Sequence, residues 1–135
     1  MDLMDTLSIS AAGMKVQSQR LKVVSQNIAN AESTGSNPNE EPYRRKTISF
    51  QNKLDRATDV ELVRTRRIGT SQTPFPLRYD PSHPAANGEG YVRMPNVNTM
   101  IERMDMREAR RGYEANLNVV ESSRAMMGQT LNVLR

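Results

Sequence analysis

Residues 7–31 read LSISAAGMKVQSQRLKVVSQNIANA, and two interleaved rows run through them. Leu7, Met14, Leu21 and Ile28 recur every seven positions. A second row, Leu3, Ser10, Gln17, Val24 and Ala31, falls between them at spacings of three and four. This heptad predicts a helix with one apolar edge and one mixed edge. At 1.5 Å per residue it would run ~45 Å. Asp2 and Asp5 favour its positive end, and Gly35, Pro38 and Pro42 are expected to stop it. Asparagine is a mediocre helix former because its amide competes for backbone hydrogen bonds. Asn27 and Asn30 flank Ile28 near the end of the helix. There they are expected to cap carbonyls or bond to an adjacent helix, marking the register in which neighbouring subunits line up.

The last third repeats the pattern. Leu117, Val120, Met127, Leu131 and Leu134 form a row whose missing member is Arg124, and Tyr113, Arg110 and Met106 extend it backwards. A neighbouring row, Gly112, Asn116, Val119, Ser123, Met126, Thr130 and Val133, is rich in small or polar residues that permit close helix approach. Val97, Ile101 and Met104 make a shorter apolar face upstream. One long helix is predicted from about Asn98, starting just after Pro95.

Between the two, helical periodicity disappears. YRRKTISF (residues 43–50) and VELVRTRRI (60–68) hold enough Tyr, Ile, Val and Thr for short strands. PFPLRYDPSHPAANGEGY (74–91) stacks four prolines, two glycines and Asn-Gly, which predicts turn and extended chain rather than a sheet interior. The expected fold is mainly α. Long terminal helices pair as an antiparallel coiled coil, with a small β or irregular insert between them. The expected division is 1–34 and 97–135 for the two helices of a core domain and 35–96 for the insert. A two-helix hairpin cannot bury both apolar edges, so the helices are expected to pack against other chains.

Composition agrees. The chain has 135 residues, 36% of them hydrophobic, with no tryptophan and two phenylalanines, which is lean for a globule that stabilises itself alone. Cysteine is absent, which rules out disulfides, thiolate nucleophiles and cysteine metal sites. Nine methionines suit adaptable interfaces. The N-terminus MDLMDTLSIS lacks the basic region of a cleavable signal, and nothing approaches the roughly 20 apolar residues of a membrane span. Net charge is +4, and residues 43–78 alone carry nine Lys or Arg against three acids. A basic segment of that kind fits nucleic acid, anionic lipid or an acidic protein surface.

Catalytic chemistry finds little to work with. His83 sits in DPSHP with Asp80 as its one nearby acid, and Pro81 and Pro84 confine it as a packing or hydrogen-bonding loop residue. No G-x-S-x-G and no phosphate-cradling glycine run occur. NGEGY reads as a turn entering the extended segment at Tyr91. Glu102, Asp105, Glu108, Glu114 and Glu121 alternate with arginines and read as a solvated or ion-paired helix face. No catalytic, metal or cofactor residues are expected. YRRK and RTRR are the residue types of phosphate contact, but few aromatics interleave them.

ISAAGMKVQSQRLKVVSQNIANAEST (9–34) resembles the opening helix of the bacterial flagellar rod and hook family. PYRRK, then DPSHPAANGEGYVRMPNVN, then YEAN resemble its proximal-rod members more specifically, and so does the SNPNEEP insertion between Gly35 and Tyr43. The resemblance implies a structural subunit rather than an enzyme. Family members assemble through their terminal helices into a hollow helical tube, part drive shaft and part export channel. It implies helix-packing contacts through Leu3, Leu7, Met14, Leu21, Val24, Asn27, Ile28, Asn30, Tyr113, Asn116, Leu117, Val120, Met127, Leu131 and Leu134. It implies insert contacts through Tyr43, Arg44, Arg45, Lys46, Asp80, Pro81, His83, Pro84 and Tyr91. The implied partners are further copies, other rod subunits and the export apparatus, with the MS ring and surrounding rings as further candidates. Neither nucleic acid nor membrane insertion is implied. The implied location is the periplasm-spanning rod, reached without a cleaved signal peptide. The competing expectation is a small oligomeric coiled-coil adaptor whose basic insert binds nucleic acid.

Overall fold

The computed structural model describes residues 2–133. The elements run α1 (Leu3–Ala29), β1 (Lys46–Asp55), β2 (Val60–Thr70), β3 (Leu77–Tyr79), β4 (Tyr91–Arg93) and α2 (Thr99–Val133). Two long helices therefore bracket a small β insert of two two-stranded sheets, β1–β2 and β3–β4.

Both helices begin where side chains can satisfy the free backbone N–H groups of a first turn. At α1 the Asp2 carboxylate accepts from the Leu3 N–H at 2.6 Å, and the Asp5 carboxylate reaches back to the Asp2 N–H at 2.8 Å. The second of these bonds is the returning half of a capping box, from the third helical residue back to the cap. At α2 the Asn98 side-chain oxygen accepts from the N–H groups of Met100 and Ile101 at 3.1 and 3.4 Å. The helix thus starts beside the expected residue.

α1 ends at Ala29, six residues before the glycine expected to stop it. Asn30 donates both its backbone N–H, at 3.1 Å, and its side-chain amide, at 2.8 Å, to the Gln26 carbonyl, and the Ala31 N–H then bonds to the Ile28 carbonyl at 3.3 Å, tightening the last turn. Ser33 then donates its backbone N–H to the Asn30 carbonyl at 3.1 Å and turns the chain.

β1 starts later than expected and runs on through QNKLD to Asp55. Ser49–Leu54 are exposed, so no alternation of buried and exposed residues marks this half. The turn after it holds Asp59 at φ 54°, a left-handed position that aspartate tolerates better than most residues. The proline-rich segment also departs from expectation. Leu77–Tyr79 pairs antiparallel with Tyr91–Arg93, matching Leu77 with Arg93, Arg78 with Val92 and Tyr79 with Tyr91. Its prolines flank β3 without entering it, so no ladder hydrogen bond is lost. Asn87 shapes the return, its side-chain oxygen accepting from Glu89 and Tyr91 N–H at 3.0 and 2.9 Å, and Gly90 takes φ 85°. A Cβ on Gly90 would meet the Tyr79 ring at 2.9 Å, so glycine is required on two counts.

The chain divides into two compact units, and both helices contribute to each. The first takes α1 up to Leu21, Ser49–Arg67 and α2 from Arg107. Its buried residues are Ser10, Val16, Leu62, Ala109 and Ser123. In it Gly13 abuts Asn116, Gln17 lies over Gly112, and Arg20 pairs with Glu108 at 3.3 Å. The second takes Lys22–Ile48 and Ile68–Met106. It buries Val23, Val24, Asn27, Glu102 and a small cluster of Ala85, Val92 and Met94.

The Gly13 approach is tight. A Cβ there would fall 2.8 Å from the Asn116 amide, which is itself held by a 2.8 Å hydrogen bond to the Gly112 carbonyl. Gly13→Val is expected to cost about 1–3 kcal/mol, the usual range for overpacking. Urea unfolding of the purified chain measures it, with Gly128→Val as the control, since nothing lies near Gly128.

Candidate functional site

In the second unit the end of α1, the start of β1 and the first turn of α2 converge on Asn27. Its amide nitrogen donates to the Lys46 carbonyl at 2.9 Å and to the Glu102 carboxylate at 3.0 Å. Its oxygen accepts from the Lys46 N–H and the Tyr43 hydroxyl, both at 2.9 Å. Both donors and both acceptor positions of the side chain are thereby used. A buried amide satisfied this fully is spent inside the chain, where it ties the end of α1 to the start of β1 and to α2. Asn30 caps α1, as its position suggested.

Glu102 is fully buried, and this corrects its expected place on a solvated face. It is ion-paired all the same: the Arg45 Nε donates to its second carboxylate oxygen. Arg45 also lies 3.8 Å from Asp105, and its backbone N–H donates to Asn96 at 2.7 Å. Asn96 in turn donates to the carbonyls of Ser71 and Thr73. Burial first, and then the Glu102 charge, push the Tyr43 hydroxyl above its ordinary value, which keeps it a donor to Asn27. A buried carboxylate without partners would carry a penalty of several kcal/mol, and here amide and guanidinium offset it together.

Three more cations of the basic segment, Arg44, Lys46 and Arg78, are engaged in the same unit. Arg44 stacks over Phe75 at 4.5 Å, donates to the Ser71 carbonyl and pairs with Glu41 at 3.3 Å. Lys46 donates to Gln26 at 3.0 Å, and Arg78 pairs with Glu32 at 3.0 Å. Arg44, Arg45, Lys46 and Arg78 therefore hold the insert to its own neighbours, and the nucleic-acid reading of YRRK loses its support.

In the DPSHP turn, Ser82 donates to Asp80 at 2.7 Å and holds that carboxyl below its usual value. The Ala85 N–H donates to His83 Nδ1 at 3.0 Å, which makes Nδ1 the acceptor and Nε2 the protonated nitrogen of the neutral ring. Nε2 then donates to Thr34 at 3.3 Å, tying the turn to the chain beyond α1. Pro81 packs beside Gly90, Pro84 is exposed, and Tyr91 meets Tyr79 edge-on at 5.3 Å. Among the described residues no group of three His, Asp or Glu could hold a metal. Among the same residues no helix is long and apolar enough to cross a membrane.

The helix faces divide their labour. Between α1 and α2 the contacts run from Gly13 to Asn116, from Gln17 to Gly112 and from Arg20 to Glu108, and Ser10, Ala109 and Ser123 are buried in the same unit. This seam is small and polar. Leu3, Leu7, Met14, Leu21 and Ile28 are only half-buried, as are Tyr113, Leu117, Val120 and Met127, while Val24 is buried. Leu131 is 66% exposed, and Leu134 lies outside the described residues. The chain thus closes on its mixed rows and leaves its apolar rows half covered. Sequence reasoning missed Glu102 as a buried residue. The signal was present: Glu102, Ala109, Asn116 and Ser123 repeat every seven positions along α2.

Comparison with known proteins accounts for both ends. Residues 7–35 match the family described as "Flagella basal body rod protein". Residues 89–133 match "Flagellar basal body rod FlgEFG protein C-terminal". The chain is 48% identical to the flagellar basal-body rod protein FlgC of Agrobacterium fabrum over 98% of both chains. It is 36% identical to the same-named protein of Escherichia coli over 98% of both, and 33% identical to that of Bacillus subtilis over 95% of both. A small, polar helix seam, half-covered apolar rows and full-length identity at this level lead to one conclusion: the chain belongs to the FlgC family of flagellar basal-body rod proteins.

Proposed function

We propose that the chain is a repeating structural subunit of the flagellar rod, whose terminal helices pair as an antiparallel coiled coil and then pack against those of neighbouring subunits. The observation that carries this reading is the half-covered row Leu7, Met14, Leu21 and Ile28. A stable single chain has no use for such a row, whereas an assembling one spends it on the next subunit. The order of helix contacts supports the pairing: partners advance through Gly13, Gln17 and Arg20 on α1 while receding through Asn116, Gly112 and Glu108 on α2. On this reading residues 1–34 and 97–135 build the axial core of a hollow tube, and residues 35–96 are the insert. A contact between unlike patches repeats without closing, and a helical assembly follows. Further copies, other rod subunits, the MS ring and the export apparatus are its partners. Its place is the periplasm-spanning part of the basal body, reached without a cleaved signal peptide. Lacking covered apolar faces, the isolated chain gains stability from its neighbours by mass action.

The test is a strain deleted for this chain. Its basal bodies should stop before the rod forms, and restoring the gene should restore both the rod and the chain within purified basal bodies. Complete rods in the deletion strain, or complemented basal bodies without the chain, would overturn the proposal.

A further inference from the structure

The NGEGY turn holds two glycines, and the fold needs only one of them. Gly90 takes a left-handed φ and has no room for a Cβ. Gly88 is exposed, lies outside the left-handed region, and has nothing within 4 Å of where a Cβ would stand. The side chain of Asn87, just before it, is held by its oxygen alone. Oδ1 accepts from the N–H groups of Glu89 and Tyr91 at 3.0 and 2.9 Å, while Nδ2 makes no hydrogen bond among the described residues. The main chain of Asn87 closes the turn: its N–H donates to the Tyr91 carbonyl at 2.9 Å, and its carbonyl accepts from the Gly90 N–H at 3.0 Å. Of the eleven asparagines in the chain, Asn87 alone precedes a glycine.

We infer that Asn87 is a site of spontaneous deamidation, and that the fold sorts its two products. The Gly88 nitrogen attacks Asn87 Cγ, the Cγ–Nδ2 bond breaks, and ammonia leaves with the proton given up by the Gly88 N–H. Without a Cβ at Gly88 nothing obstructs that approach, and glycine supplies the backbone freedom that ring closure needs. The attack places negative charge on Oδ1, where two N–H groups stand at hydrogen-bond distance to receive it. The cyclic imide then takes up one water. Opening at Cγ gives aspartate, and opening at the main-chain carbonyl gives isoaspartate, in which the chain runs through Cγ. Aspartate keeps the oxygen that Glu89 and Tyr91 bond, now as a charged and stronger acceptor. Isoaspartate inserts a methylene into the main chain and turns the carbonyl that held Gly90 into a free carboxylate. The turn then loses its closure, and the short β3–β4 ladder loses what set its register. Val92, fully buried on that ladder, is the apolar residue that a loosened hairpin exposes.

The modification stands apart from the rod-subunit reading and is tested on the purified full chain. After incubation in mildly alkaline buffer without denaturant, peptide mapping should find amide converted to acid at Asn87 before any other asparagine. Isoaspartate is counted with an isoaspartyl methyltransferase, which places a labelled methyl group on the freed carboxylate. Gly88→Ala should keep the urea midpoint, since the position has room and an ordinary φ, and should slow the conversion several-fold. Gly128→Ala, at an equally open position, should leave the rate unchanged. Conversion led by another asparagine, or conversion no slower in Gly88→Ala, overturns the site. The sorting is read by trypsin at exposed Arg78, at the centre of β3. Asn87→Asp should resist cleavage there as the native chain does, and the isoaspartyl fraction of aged chain should be cut several-fold faster. An isoaspartyl fraction as resistant as Asn87→Asp, or loss of resistance in Asn87→Asp itself, overturns the sorting.

Discussion

Leu21→Asp is expected to abolish motility and leave basal bodies without a rod, while the chain itself still accumulates in the cell. Leu21 belongs to the half-covered row and lies outside the small, polar seam, so the substitution spares the contacts that close the chain. In an assembly that covers the row, the new carboxylate would be buried without a partner, at a cost of several kcal/mol per subunit. Repetition in every copy leaves no register in which the charge escapes. Soft-agar swarming and electron microscopy of basal bodies measure the outcome, with Ser18→Asp on the exposed side of the same helix as control. Normal swarming of the Leu21 variant would mean that the row stays open to solvent in the assembled state.

Asn27→Leu should act by the opposite route, on the chain rather than on its assembly. The sequence alone suggested that this change keeps the helix and blurs the contacts between subunits. With the amide bonded to Lys46, Tyr43 and Glu102, leucine strips partners from a backbone carbonyl, a backbone N–H, a hydroxyl and a buried carboxylate. Unsatisfied buried groups cost about 1–3 kcal/mol each, partly relieved by relaxation, so a loss of about 3 kcal/mol or more is expected. Urea unfolding should show it, together with faster proteolysis after Arg45. Asn30→Ala, which removes one bond to the Gln26 carbonyl, should cost about 1 kcal/mol or less. Equal effects at the two positions would contradict the central place given to Asn27.

Helices were legible because heptads are a long-range pattern in the chain itself. Twenty-seven residues of α1 and thirty-five of α2 repeat their spacing often enough to outweigh local noise. The second half of β1 was hidden for a physical reason: its residues are exposed, so nothing in their hydropathy marks a face. β3 and β4 are three residues each, and a ladder that short is set by the Asn87 turn and by Gly90 rather than by strand propensity. Glu102 was misplaced because a carboxylate among arginines ordinarily faces water. What buries it is Asn27, seventy-five residues away, a pairing that spacing cannot announce. The small row on α2 was legible, and so was the consequence that two faces must serve two purposes.

The Asn27–Glu102–Arg45 junction has a mechanical consequence as well as an energetic one. Apolar surfaces attract without direction, and one helix can slide along another while exchanging equivalent contacts. Hydrogen bonds tolerate no such slip, because their donor–acceptor distances span only about half an ångström. A displacement of α1 by a single residue, about 1.5 Å, would break the Asn27–Glu102 bond if it ran against α2 and the three bonds to Lys46 and Tyr43 if it ran against the start of β1. The junction therefore works as a detent: compliant apolar faces outside, and a stop against shear within each subunit. A part that must carry torque along its length needs stiffness against sliding more than it needs a large core, and four atoms of one asparagine and one glutamate supply it.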